Sequence, residues 1–195
     1  MTRTKPAEQR RAELLAAGQA LFLAKGIAGT SLDDITQRAG VSKGLFYLYF
    51  PSKEDLVLAL REQFSRELAE RMRAAIEAAP GGWADRLDAC VRAGFEGYRD
   101  LHDLHEVLFH HAHVTPSGAG QPDPAPAPVA RVIGELLAAG TAAGAFDVPD
   151  PESTAVLCYA SMHAYDDDFR GRPGPDDTRL IRAAQQLFRR AAGLA

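Results

Sequence analysis

Leu56, Val57, Leu60, Phe64, Leu68, Met72 and Ile76 form an apolar series whose members recur at three- and four-residue steps. At 3.6 residues per turn they share one stripe of a single long helix; a strand, whose faces alternate every second residue, could not collect them. Ser52 suits the cap, Glu54 and Asp55 sit in a first turn where the helix dipole favours acids, and Pro80-Gly81-Gly82 ends the run. The same rhythm marks Pro6 to Lys25 through Leu14, Leu15, Gly18, Leu21 and Phe22, with Gly26 as the stop. It returns near 83–99, 101–114, 129–143, 151–169 and 176–192, where Asp150-Pro151 supplies a cap followed by proline. No convincing strand or internal repeat is visible, so the expected fold class is all-α. Residues 115–128 hold five of the twelve prolines and predict a flexible or extended loop.

Several classes drop out on composition. With 46% hydrophobic residues the chain can build a real core, yet no stretch approaches the roughly 20 continuous apolar residues that span a bilayer. The charged start MTRTKPAEQRRAELL lacks the apolar segment of a secretory signal. Cys90 and Cys158 fall inside apolar helical patterns without metal or redox spacing, which predicts buried reduced thiols and suits a cytoplasmic protein. The net charge of -4 conceals a gradient. Residues 1–53 carry eight Lys/Arg against four Asp/Glu, a net +4, so the rest of the chain carries −8. A basic front on an acidic body suits a nucleic-acid-binding head joined to another module.

Within that front, TSLDDITQRAG offers Ser31 as a cap with Asp34 three places on, as in a capping box, and Leu32, Ile35 and Ala39 as an inner face. Gly40 breaks the helix and Ser42 can cap the next. VSKGLFYLYF follows, residues 41–50. By composition its apolar run reads as a buried strand; Lys43 and the ring-bearing residues equally suit a contact surface. Two short helices about a tight turn at Gly40-Val41-Ser42 make a helix-turn-helix, whose second helix enters the major groove. A helix of about two turns cannot bury five large side chains at once, so some must face outward.

Residues 14–60, LLAAGQALFLAKGIAGTSLDDITQRAGVSKGLFYLYFPSKEDLVLAL, resemble the N-terminal domain of TetR/AcrR-type transcriptional regulators. Phe22, Gly26, Thr30-Ser31, Asp34-Ile35, Ala39 to Ser42, Gly44, Tyr47, Tyr49-Phe50 and Ser52-Lys53 carry the match; Thr36, where alanine is commoner, is a small departure. The resemblance implies a three-helix helix-turn-helix domain over 1–53, joined by the long helix to a helical ligand-binding and dimerisation domain over 54–195. It implies that Phe46 and Phe50 pack inward on Leu21, Phe22 and Ile35. Tyr47, Tyr49 and Lys53 would meet phosphates, with Thr30, Ser42 and Gly44 adding hydroxyl or backbone contacts. Base edges would fall to Lys43, Leu45 and Leu48, assisted by Gln37 and Arg38.

For the body, the family implies a homodimer and an effector pocket. Val156, Leu157, Ala160, Ala164, Leu180, Ile181, Ala184, Leu187 and Phe188 could pair with a two-fold copy or simply fill an internal core. Pocket candidates are Trp83, Phe95, Tyr98, Leu108, Phe109, Tyr159, Met162, His163 and Tyr165, apolar walls with a few polar tips. His102, His105, His110, His111 and His113 crowd one segment. On a helix the first two share a side, as do His110 and His113, about 12 Å further on. They could serve a metal-responsive regulator, a pH response or a solvated cluster. Asp166-Asp167-Asp168 reads as a solvated helix end. No Gly-rich phosphate loop, nucleophile elbow or H-E-x-x-H supports an all-helical enzyme, and no cofactor is implied. The expected function is a ligand-responsive homodimeric DNA-binding regulator, a repressor released from a palindromic double-stranded operator by a small-molecule effector.

Overall fold

The structure, a computed structural model, describes residues 6–110, 128–168 and 177–194, with side chains at all of these except 110, 163–168 and 177. Among the described residues there are helices and no strand. In chain order they are α1 (Ala7–Lys25), α2 (Leu32–Ala39), α3 (Lys43–Tyr47), α4 (Lys53–Ala78), α5 (Trp83–Asp100) and α6 (His102–His105). A π-helical turn, Glu106–His110, follows α6; then come α7 (Pro128–Ala142), α8 (Pro151–Asp168) and α9 (Asp177–Ala191).

The short helices of the front exist because their ends are satisfied locally. Ser31 Oγ accepts from the Asp34 amide at 3.1 Å while Asp34 Oδ2 accepts from the Ser31 amide at 2.8 Å, a complete capping box for α2. Gly40 ends α2 in the left-handed region at φ 65°, and the Val41 amide reaches back to the Thr36 carbonyl at 3.0 Å. That pair of features is a Schellman closure, which favours glycine at position 40. Ser42 Oγ then accepts from the Leu45 amide at 3.2 Å to start α3, and Ser52 Oγ accepts from the Asp55 amide at 3.1 Å to start α4.

The chain divides into two compact units. Residues up to 64 together with the segment from 101 form one, and residues 65–100 with the chain from 124 form the other. This division by contacts falls elsewhere than the border expected at residues 53 and 54. In the first unit Leu14, Phe22, Ile35, Phe46, Phe50, Leu56, Val57, Leu60 and Leu108 pack as one buried cluster. Each large apolar side chain buried in this way contributes about 1.5–3 kcal/mol.

In the second unit α7 packs on α8 and α5 on α9. Val132, Ile133, Leu136 and Leu137 of α7 are buried, as are Ala155, Cys158 and Met162 of α8. Gly94 of α5 leaves the space that the Met162 methyl occupies, so any larger residue there would collide with it. Arg189 of α9 forks onto Asp88 of α5 at 2.9 and 2.6 Å, and Gln185 Nε2 donates to the Asp88 carbonyl at 3.0 Å. Burial pushes the Cys90 thiol up to about 12 and the Cys158 thiol up to about 11, so both stay protonated at neutral pH.

The expected single helix over 101–114 is different in the structure. Only His102–His105 is α-helical before the backbone widens into the π turn, whose Leu108 carbonyl accepts from Arg61 Nε at 2.7 Å. Periodicity reads side chains and could not register a backbone group recruited by a distant arginine. The proline-rich 115–128 stretch lies outside the described residues up to 127, and Pro128 begins α7.

Candidate nucleic-acid interface

The run Leu45 to Phe50 sorts by direction. Phe46 is fully buried and Phe50 nearly so, their rings 5.7 Å apart, in the cluster that also holds Phe22 and Ile35, with Leu21 against it. Arg11 lays its guanidinium 5.2 Å from the centre of the Phe50 ring, tying α1 to the same corner. Tyr47 and Leu48 point the other way, 55% and 78% exposed. Ser42, Lys43 and Gly44 are exposed beside them, Leu45 is half-buried, and Tyr49 is half-buried against the core cluster. Across the turn, Gln37 and Arg38 of α2 are exposed. The first unit thus gathers Gln37, Arg38, Ser42, Lys43, Gly44, Tyr47 and Leu48 as solvent-accessible residues of α2, the turn and α3. Tyr47 and Leu48 are adjacent exposed large apolar side chains, a small patch open to contact.

Two of the expected phosphate contacts are occupied internally. Thr30 is buried, its hydroxyl donating to the Gly26 carbonyl at 2.7 Å and its amide to the Ile27 carbonyl at 3.3 Å. Burial and those bonds take both of its donors, and its role is to close the connection between α1 and α2. Lys53 Nζ donates to the carbonyls of Ile27 and Thr30 at 2.8 and 2.9 Å, so the ammonium braces that connection and keeps one N–H beyond those two bonds.

Electrostatics add two pairs that spacing did not reveal. Lys43 Nζ meets Asp33 Oδ1 at 2.6 Å, linking the first turns of α2 and α3, and this bond raises the Lys43 pKa. Lys25 meets Asp34 at 2.7 Å; that bond first, and those from Ser31 next, hold the Asp34 carboxyl well below the usual carboxylate range. Asp33 is the functional candidate missed in the sequence. The available signal was that a helix-turn-helix brings the N-terminal turns of its two helices close, with Asp33 two residues past one cap and Lys43 just past the other.

The pocket candidates do not form one group. Phe109 belongs to the first unit, stacked on His105 at 4.8 Å and edge-on to Phe64 at 5.6 Å, with Arg61 5.3 Å from its ring centre; Leu108 is buried in that unit's core. Burial lowers the Arg61 pKa. In the second unit Phe95, Tyr98 and Met162 are buried. Tyr159 is half-buried, its pKa raised by burial and partly restored by a hydrogen bond with Tyr98. Trp83 packs its ring edge on Phe146 at 5.9 Å and carries Arg86 over its face at 5.0 Å. The side chains of His163 and Tyr165 lie outside the described residues. Of the histidine cluster, His102 is exposed and His105 buried, three residues apart on α6; the side chains of His110, His111 and His113 lie outside the described residues. Among the described residues no group of three or more His, Cys, Asp or Glu could hold a metal ion.

A buried three-helix scaffold that turns a short, serine-capped helix to solvent is the arrangement of a helix-turn-helix domain. Residues 14–60 match the model of the tetR family of bacterial regulatory proteins. The chain is 32% identical over 110 residues to the HTH-type transcriptional activator FasR of Mycolicibacterium smegmatis, covering 56% of this chain and 50% of FasR. It is 37% identical over 89 residues to the HTH-type transcriptional regulator EthR of the same organism, covering 46% of this chain and 39% of EthR. The chain therefore spans half or less of the length of these curated relatives. A protein of unknown function from Rhodococcus sp. RHA1 shares the fold with a TM-score of 0.72 at 22% identity, over 100% of this chain and 98% of that one. No helix among the described residues is long and apolar enough to cross a membrane.

Proposed function

We propose that this protein is a homodimeric, ligand-responsive regulator, a repressor that leaves a palindromic operator when a small-molecule effector binds its body. The observation that carries the DNA-binding reading is the split of one short helix, Phe46 sealed in the core while Tyr47 and Leu48 stand exposed beside Lys43 and Gly44. Residues 1–53 act as the DNA-binding head and 54–195 as the ligand-binding and dimerisation domain. In each subunit α3 enters the major groove. Ser42, Gly44, Tyr47 and the remaining N–H of Lys53 hold phosphates, and Lys43, Leu45 and Leu48, with Gln37 and Arg38, face base edges. The two copies of α3 in a dimer would read half-sites about 34–36 Å apart.

Homodimerisation is supported by α8, which is apolar on more than one side. Its residues 155, 158 and 162 are buried, while Val156 and Leu157 remain exposed, together with Leu187 of α9. Exposed aliphatic side chains on long helices suit burial against a partner, and a second copy of the same two helices would make a four-helix bundle. Tyr98, Tyr159, Phe95 and Met162 are the side chains of the second unit best suited to an apolar effector with one polar group. The site is not catalytic, and the protein works in the cytoplasm where its DNA is.

A gel-shift experiment on DNA flanking the protein's own coding region tests the reading. Wild type retards that DNA, Tyr47→Ala weakens binding about tenfold on every duplex, and candidate apolar effectors release it. Retardation by Tyr47→Ala equal to wild type would remove the helix-turn-helix reading.

A further inference from the structure

Asp33 is an acid on a face that is otherwise fit for phosphate. Its carboxylate bonds Lys43 Nζ at 2.6 Å, with the two side chains 69% and 57% exposed. Exposed ion pairs add little to folding stability, and α2 does not need Asp33 for its cap, which Ser31 and Asp34 complete between them. Gln37 lies one turn on from Asp33, and Tyr47 one turn on from Lys43, so the pair sits among the exposed residues of α2 and α3. An ammonium there has two outlets on DNA, a phosphate on any duplex or guanine O6 and N7 on the right one.

We propose that Asp33 is a positioning residue that sets sequence discrimination by holding the Lys43 ammonium away from phosphate and toward base edges. The inference rests on the DNA-binding reading above. On random DNA a mobile lysine gains a phosphate contact and releases a counterion, and that gain is the same for every sequence. With its charge engaged by Asp33, Lys43 forfeits that uniform gain, and the carboxylate itself repels the backbone. On a preferred site the guanine edge offers two acceptors in one plane, which Lys43 can reach while its neighbour still orients it. Asp33 therefore lowers affinity for all DNA and lowers it least for the preferred sequence.

The experiment compares full-length wild type, Asp33→Asn, Asp33→Glu, Lys43→Gln and the Asp33→Asn, Lys43→Gln double variant by fluorescence anisotropy. The probes are a random-sequence duplex and the duplex that wild type enriches from a randomised pool, each titrated over a range of salt. Asp33→Asn is expected to bind the random duplex about threefold or more tighter, with a salt slope steeper by about one. The ratio of preferred to random affinity should fall correspondingly, and Asp33→Glu should keep it. In the Lys43→Gln background the Asp33→Asn change should leave that ratio where it was, because the lysine it positioned is gone. The proposal is overturned if Asp33→Asn leaves the ratio and slope unchanged, or shifts the ratio equally with and without Lys43. Those outcomes leave the DNA-binding reading intact, whereas a wild type that binds neither duplex, and so enriches nothing, overturns both.

Discussion

Large apolar side chains reach solvent on α3 and again on α8 and α9, and the two regions differ in what surrounds them. On α3, Tyr47 and Leu48 share a five-residue helix and its caps with Ser42, Lys43 and Gly44, so aromatic, aliphatic, cationic and bare backbone groups lie within about two turns. On α8 and α9, Val156, Leu157 and Leu187 are aliphatic and belong to helices of 18 and 15 residues. Mixed chemistry on a short support suits a partner whose grooves and phosphates offer both apolar and charged contacts. Aliphatic side chains on longer helices suit an apolar protein partner such as a second copy of the same helices. Exposure alone would have ranked the two regions together; their neighbours separate them.

A charge placed in the aliphatic face breaks the comparison most directly. Leu157→Asp lies at a side chain 72% exposed, so the isolated chain should fold with nearly unchanged melting temperature. In a dimer it would leave an unpaired carboxylate inside the bundle, a cost of about 3 kcal/mol or more per subunit. Sedimentation velocity should show wild type as a dimer and Leu157→Asp as a monomer at the same concentration, with operator binding lost as well. A dimeric Leu157→Asp would mean that α8 faces something other than its copy.

Much of this was legible in the sequence where the signals are local. The capping serines 31, 42 and 52 and the break at Gly40 each act within a few residues, and the apolar periodicity of α1 and α4 is a property of single elements. The split of VSKGLFYLYF followed from the motif and from the size of α3, which has no room to bury every ring. What escaped was tertiary. Thr30 and Lys53 look like phosphate ligands in a motif, yet their donors reach carbonyls of the α1–α2 connection, 23 to 26 residues before Lys53 in the latter case. The π turn that recruits Arg61 and the pairing of Asp33 with Lys43 likewise depend on elements brought together by folding.

Lys53 sharpens the comparison from the side of support. Lys53→Ala removes two charge-assisted bonds to backbone carbonyls, and the head should lose about 1–2 kcal/mol of stability. Chemical denaturation followed by a probe in the first unit would measure it, beside DNA affinity for the same variant. Loss of affinity with unchanged stability would instead make Lys53 a contact like Tyr47 rather than a brace behind it.

The smallest effect concerns the cap under the exposed helix. Asp34 is half-buried, with Lys25 and Ser31 bonding its carboxylate, and its pKa lies below the ordinary value of 3.8. A depressed carboxyl pKa contributes stability that is complete above the unfolded value and is lost as pH falls through the folded one. The α2 cap should therefore be at full strength at neutral pH and weaken progressively once pH drops below about 4. Melting temperatures of wild type and Asp34→Asn should differ by a constant small margin above pH 5 and converge as the pH is lowered further. Added salt should narrow the margin by screening the Lys25 pair, while the aliphatic face of α8 and α9, having no carboxylate at Val156, Leu157 or Leu187, should show no such acid dependence. A margin that stayed constant into strong acid would place the stabilisation in the backbone geometry of α2 rather than in the charge of Asp34.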